Sequence, residues 1–165
     1  MTVSPVIAAA LGAAAIAAGP GRATAPLPRC HTGDLAGTLK RGSPGAGQRY
    51  ATLLLRNRST HRCRVYGYIG AQLLGAGGRP LPTTVVRDRT RTPRRVVLAP
   101  GRRAQALLHW AAIPGPGEPQ SGPCEPTARR IEITPPDETT HLILRWSFGP
   151  VCEHGRIDVR PLTAA

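Results

Sequence analysis

Arg49–Asn57 reads RYATLLLRN. On an extended chain this places Tyr50, Thr52, Leu54 and Arg56 on one face and Ala51, Leu53, Leu55 and Asn57 on the other. Successive side chains of a strand point to opposite faces, so the pattern predicts a strand with one face in a core. Working outward, Cys63–Tyr68 (CRVYGY) sets Cys63 and Val65 against Arg64 and Tyr66. Thr83–Asp88, Arg95–Leu98 and Arg103–Trp110 (RAQALLHW) continue the series. Arg129–Ile133, Thr140–Ser147 and Arg156–Arg160 complete it, with Ile131 and Ile133 flanking Glu132, and Ile157 and Val159 flanking Asp158.

The connections carry turn chemistry. Pro100-Gly101 predicts a type II turn, with glycine supplying the positive φ. Gly75–Pro82 (GAGGRPLP) and Pro114–Pro123 (PGPGEPQSGP) read as loops, and Asp137–His141 (DETTH) as a strand-entry turn. No window offers an amphipathic helix, and there are no internal repeats. Some 8–9 short strands at this spacing predict an all-β fold, an immunoglobulin-like antiparallel β-sandwich, as a single domain over residues 26–165.

Composition narrows the class. The 165 residues include 19 Gly and 18 Pro, too many for a helical bundle and too aperiodic for collagen. Six aromatic residues (Tyr50, Tyr66, Tyr68, Trp110, Trp146, Phe148) leave the core to Leu, Val, Ile and Ala. Lys+Arg number 22 against nine Asp+Glu, a net charge of +13. Lys40 is the sole lysine, and so strong an Arg bias reflects in part the codon usage of a G+C-rich genome. A surface of this charge attracts polyanions whatever its origin.

Val6–Ala18 (VIAAALGAAAIAA) is an uncharged run of 13 small and aliphatic residues. A bilayer span needs roughly 20 apolar residues, so the run suits a signal h-region and not a transmembrane helix. Gly19, Pro20 and Gly21 follow, then Ala23-Thr24-Ala25, an A-x-A cleavage pattern. Residues 1–25 are therefore expected to be a signal peptide, and the protein secreted or extracytoplasmic. Leu27-Pro28-Arg29 before Cys30 is not a lipobox.

Four cysteines in a small exported chain predict a disulfide framework and allow three pairings. Cys30–Cys63 with Cys124–Cys152 closes loops of similar size, one in each half, and is the expected pairing. On the chain-entropy account each bond is worth roughly 3–4 kcal/mol. His31, His61 and His154 stand near Cys30, Cys63 and Cys152, but no C-x-x-C or H-x-x-x-H spacing presents two ligands from one turn. Met1, the only methionine, gives no thioether set for copper. No metal and no cofactor is expected.

Taken together, several of these pieces have a familiar order. They are Cys30, the Leu-rich strand ending at Asn57, Cys63-Arg-Val-Tyr-Gly-Tyr, Val-x-Leu-x-Pro-Gly at Val96–Gly101, and the strand ending at Trp110. Cys124, Ile131-x-Ile-x-Pro-Pro, and Cys152 ahead of Ile157-Asp-Val-Arg-Pro-Leu complete the series. Residues 30 to 162 thus resemble the actinobacterial exported domain called domain of unknown function 4232. The resemblance implies an exported or envelope-associated β-sandwich with paired cysteines, no known catalytic residues and no assigned ligand. Many relatives carry a lipobox or a Ser/Thr-rich linker, and a Pro in the turn after the second cysteine. Neither anchor is evident here, and the turn reads Gly67-Tyr68-Ile69-Gly70.

Motifs of chemistry are few. Nucleophile elbows, P-loops, dinucleotide fingerprints and zincin helices are absent from the sequence. Glu132 and Asp158 sit mid-strand among arginines and read as cross-strand ion pairs. Asn57-Arg58-Ser59 matches a glycosylation sequon by chance. The strongest charge feature is the cluster Arg87, Arg89, Arg91, Arg94, Arg95, Arg102 and Arg103 against Asp88 alone, expected as a basic ridge on a hairpin and its loop. Guanidinium forks match phosphate geometry, so the expected partners are an anionic envelope polymer, a phosphate-bearing surface or a surface protein. Nucleic acid is not expected, since the ridge lacks stacking aromatics. The sequence thus reads as a non-catalytic binding or structural module of the cell envelope. The alternative is a small secreted enzyme or metal-handling protein whose site is assembled from remote residues.

Overall fold

The computed structural model describes Met1 and residues 26–165. The expected signal peptide, apart from Met1, lies outside the described residues. Eleven strands carry the described fold: β1 (Leu35–Arg41), β2 (Gln48–Asn57), β3 (Cys63–Val65), β4 (Gly70–Leu74), β5 (Thr84–Arg87), β6 (Val96–Leu98), β7 (Arg103–Ala111), β8 (Arg130–Thr134), β9 (Leu142–Arg145), β10 (Arg156–Val159) and β11 (Thr163–Ala164). The largest sheet runs β1-β2-β7-β10-β5, with β11 also on β7. Two smaller sheets, β3-β6 and β4-β8-β9, share one hydrophobic core with it. The protein is an all-β sandwich.

Period-two alternation builds this core. Ala51, Leu53, Leu55 and Asn57 of β2 are wholly buried, and Ala104, Ala106, Leu108 and Trp110 of β7 join them. Register sets Leu53 opposite Ala106, Leu55 opposite Ala104 and Ala51 opposite Leu108. Large and small side chains therefore alternate across the inner face, which lets few aromatics fill it without voids. Trp110, Trp146 and Phe148 form one cluster, with ring centroids 4.9–5.8 Å apart. The Trp146 indole donates to the Gly149 carbonyl at 2.8 Å, whereas the buried Trp110 N–H has no acceptor among the described residues.

Several expectations are met and several revised. Both disulfides join the expected partners, Cys30 to Cys63 and Cys124 to Cys152. The Pro100-Gly101 turn closes with Arg102 N–H donating to the Ala99 carbonyl at 2.9 Å and Gly101 at φ +79°. Two longer strands, β1 and β4, lie in stretches not expected to be extended. The strand expected over Cys63–Tyr68 stops at Val65, ahead of Gly67 at φ +102°. The hairpin expected around Arg87–Arg103 does not form. β5 pairs in parallel with β10, while β6 pairs with β3, so the connection between them crosses from one sheet to another. Among the described residues, no helix is long and apolar enough to cross a membrane.

Asn57 closes the sandwich at one end. Its amide donates to the His61 carbonyl at 2.8 Å and the Leu98 carbonyl at 2.9 Å. Its oxygen accepts from the Ser59 N–H at 2.9 Å and the Ser59 hydroxyl at 2.7 Å. The residue is 0% exposed, so the sequon carries no accessible acceptor. Removing the amide leaves buried main-chain groups unpaired, at about 1–3 kcal/mol each. Asn57→Ala is expected to lower unfolding stability by roughly 3 kcal/mol in urea denaturation. Asn57→Asp should cost at least as much, because it turns a carboxylate toward two carbonyls.

Candidate functional site

The outer face of the large sheet follows from the same alternation. Residues on β1, β2 and β7 that leave the core bring Arg56 directly opposite Arg103, Leu54 opposite Gln105, and Lys40 opposite Thr52. Like charges placed opposite each other on a sheet are unfavourable. None of Lys40, Arg56, Arg102 or Arg103 has a carboxylate partner among the described residues. A shallow groove of about 270 Å³ runs between Lys40, Arg56 and Arg103. A second of about 330 Å³, shared with Lys40 and Arg103, reaches Arg102 and Gln105.

The connection from β5 to β6 extends this basic surface. Asp88 fixes its start. The carboxylate accepts the Thr90 N–H at 2.9 Å, the Thr90 hydroxyl at 2.6 Å and Arg160 Nε at 3.0 Å. The Thr90 hydroxyl, the Thr90 N–H and then Arg160 hold its pKa down from 3.8 to about 2. Beyond this anchor, Arg91 meets Gln105 and Arg160 in a small groove on the outer face. Arg91, Arg94 and Arg95 together rim a larger groove of about 590 Å³, in which Val97 and Ala164 are exposed while Val96, Pro161 and Leu162 are buried beneath.

The expected arginine cluster is thus divided. Arg91, Arg94 and Arg95 share one groove, and Arg102 and Arg103 lie along the sheet face with Lys40. Arg87 is drawn aside, its guanidinium 5.6 Å from the centre of the Tyr68 ring. Arg89 is exposed in the turn and lines none of these grooves. Lys40 and Arg56 could not be grouped with this cluster from the sequence, because they lie far from the Arg-rich stretch. The alternation of Leu35, Gly37 and Leu39 with Ala36, Thr38 and Lys40 was the signal that could have found β1.

A second cluster gathers at the disulfide Cys124–Cys152. Glu153 (φ 56°), His154 (φ 56°) and Gly155 (φ +76°) form three successive left-handed residues. A Cβ on Gly155 would run into the Pro82 carbonyl, so only glycine fits there. The non-glycine pair costs about 1–2 kcal/mol per residue. The cost is offset by Glu118, which is 6% exposed and accepts the His154 N–H at 2.7 Å and the Gly115 N–H at 2.6 Å. Burial pushes the Glu118 carboxyl up, but the His154, Gly115 and Glu153 N–H groups outweigh it and hold it below the usual value. Ligand-type atoms of Glu118, Glu125 and His154 lie within 4.8 Å of one another. Both Glu118 oxygens already serve main-chain donors, and the two sulfurs are spent in the disulfide, so the cluster anchors a loop.

The histidines each meet a carboxylate. His31 lies 3.0 Å from Glu138, His61 3.6 Å from Asp34 and His154 3.3 Å from Glu125. Glu132, expected to pair with arginine, instead has His141 at 3.2 Å. Asp158 pairs with Arg156 of its own strand at 3.0 Å and with His109 across the sheet at 3.4 Å. The other nitrogen of His109 is 2.6 Å from the Gln48 side-chain oxygen. None of the grooves described above contains His109 or His141.

These features define a class: a disulfide-stapled all-β sandwich with an unneutralised basic face. The family model described as Domain of unknown function (DUF4232) matches residues 30–163, and the chain belongs to that family. No curated protein and no solved structure matches it.

Two outcomes follow from the carboxylates. Because the folded pKa of Asp88 lies below its unfolded value, its stabilisation is complete above 3.8 and is lost as pH falls through about 2. Amide exchange at Thr90 should therefore stay slow across the ordinary carboxylate range and rise only near the lower value, whereas Asp88→Asn should remove that step. Glu118→Gln, which loses charge-assisted bonds to main-chain donors, is expected to destabilise by about 2 kcal/mol in thermal melts at neutral pH.

Proposed function

We propose that this protein is an exported, non-catalytic binding module of the cell envelope that docks anionic polymers or surfaces through its basic face. The observation that carries the reading is Arg56 set opposite Arg103, with Lys40 in the same groove and no ion pair to any of the three among the described residues. A sheet that needed only stability would not keep like charges opposed across it. An anion bridging the guanidiniums relieves that repulsion, and arginine suits phosphate or sulfate better than lysine does. Two disulfides support the compartment, because such bonds persist where the environment is oxidising.

Retention on immobilised dextran sulfate tests the reading. Binding should fall steeply with salt. Lys40→Gln/Arg56→Gln/Arg103→Gln should flatten the plot of log affinity against log salt by roughly 0.7–0.9 for each cation removed. Arg91→Gln/Arg94→Gln/Arg95→Gln should do the same. The control is Arg58→Gln/Arg62→Gln/Arg145→Gln, which removes as much charge from exposed positions elsewhere. Equal loss in the control would reduce the effect to net charge and overturn the assignment to this face.

A further inference from the structure

Two strand edges open onto the groove rimmed by Arg91, Arg94 and Arg95. β6 belongs to a sheet of two strands and so has a partner on one side alone. Arg64 of β3 reveals how the other side is directed. It donates its N–H to the Pro28 carbonyl and accepts the Cys30 N–H, each at 2.9 Å, on the side of β3 away from β6. In an antiparallel pair, residues that exchange both hydrogen bonds alternate with residues that exchange none. Arg64 faces Val97. That pair therefore exchanges none, and the Val97 N–H and C=O point away from β3. The same alternation holds on β11. Ala165 N–H donates to the Arg103 carbonyl at 3.1 Å. Ala164, opposite Ala104, then turns its own N–H and C=O away from β7. Val97 and Ala164 both line the groove, and neither has a main-chain partner on its open side among the described residues.

An open edge is a template for another strand, and native proteins guard such edges with short strands and charge. β6 is short and is preceded by Arg94 and Arg95. Here the guard has one sign only. It repels a second copy of this chain, which carries the same +13, and it attracts an acidic strand. Residues 2–25 contain no Asp or Glu, so they cannot supply the carboxylates either. A polyphosphate would answer the guanidiniums but offers no donor to the Val97 carbonyl.

We infer that this groove takes an extended acidic segment of another polypeptide, added as a strand along the free edge of β6. Its carboxylates meet Arg91, Arg94 and Arg95, and its apolar side chains on one face cover the exposed Val97. Main-chain hydrogen bonds supply affinity and the alternating side chains supply selectivity. This goes beyond polyanion docking: it shares Arg91, Arg94 and Arg95 with it but also requires the Val97 main chain, so it can fail while retention on dextran sulfate stands.

The test uses the full chain and a blocked eight-residue peptide alternating Glu and Val, followed by amide chemical shifts and by fluorescence anisotropy. The Val97 amide should shift on titration. N-methylation of every second peptide nitrogen on one edge, and separately Val97→Pro, should each weaken peptide binding about tenfold, the equivalent of one or two net hydrogen bonds. Proline is tolerated on edge strands, and at this position it removes only the outward donor. Dextran sulfate retention should be unchanged in Val97→Pro. Should that variant fail to fold, the N-methylated peptide decides alone. An unmoved Val97 amide, or equal binding of the methylated peptide, would overturn strand addition and leave only charge attraction.

Discussion

The buried amide of Asn57 is the constraint on which the rest of the sandwich depends. It stands where β2 leaves the core, and its donors reach the carbonyls of His61 and Leu98 at once. One side chain thereby ties the end of the large sheet to the turn before β3 and to the end of β6. The main chain of Asn57 reinforces this, accepting from Gly101 at 2.8 Å and donating to the Arg102 carbonyl at 2.9 Å. The disulfide Cys30–Cys63 then fixes β3 to the segment before β1. A fully satisfied buried polar group specifies one arrangement, because any other leaves its partners unpaired. Here the arrangement specified is the position of β6, and with it the open edge over the large groove.

How much of this was legible depended on the range of the interaction. β2, β7, β8 and β10 were readable because alternation is local: each buried residue is fixed by its own strand's pleat. β1 escaped because Gly37 interrupts its apolar face. A Cβ there would lie 3.0 Å from the end of the Leu144 side chain, a close contact between β1 and β9. β4 opens on Gly70 and is short for the same kind of reading. The parallel pairing of β5 with β10 left no local trace, since it joins Thr84 to Arg156 from distant parts of the chain. The basic surface was legible only as composition. Its arginines were visible, but the opposition of Arg56 to Arg103 is a matter of register, and so is the role of Lys40. Glu118 was hidden inside a Pro/Gly-rich loop, and only the fold brings it to the left-handed turn after Cys152.

The distribution of acids makes the basic face more than an excess of arginine. There are nine carboxylate side chains. Asp34, Glu125, Glu132, Glu138 and Asp158 each lie beside a histidine. Asp88 is taken by Thr90 and Arg160, and Glu118 by main-chain N–H groups. Glu138 serves three roles, since Arg29 lies 3.1 Å away and the Thr32 N–H donates to it at 3.0 Å. The Thr32 N–H leads the contacts that hold its carboxyl below the ordinary value, against the opposing effect of burial. Seven of the nine acids thus serve loops, turns, histidines or the arginines Arg29, Arg156 and Arg160. Lys40, Arg56 and Arg103 receive none of them, although any one acid across the sheet would relieve the repulsion at little structural cost.

Edge and charge also act on each other. A sandwich built from several small sheets has more open edges than a closed barrel, and each open edge risks pairing with its own kind. Placing Arg94 and Arg95 just before β6 raises the cost of that encounter for an identical chain, since every copy brings the same groups. The same placement lowers the cost for a strand of opposite charge. A device that keeps the protein from pairing with itself therefore also selects its partner, and the two properties cannot be separated by mutation of the arginines alone. Only the main chain at Val97 distinguishes them, because it contributes to strand addition and carries no charge.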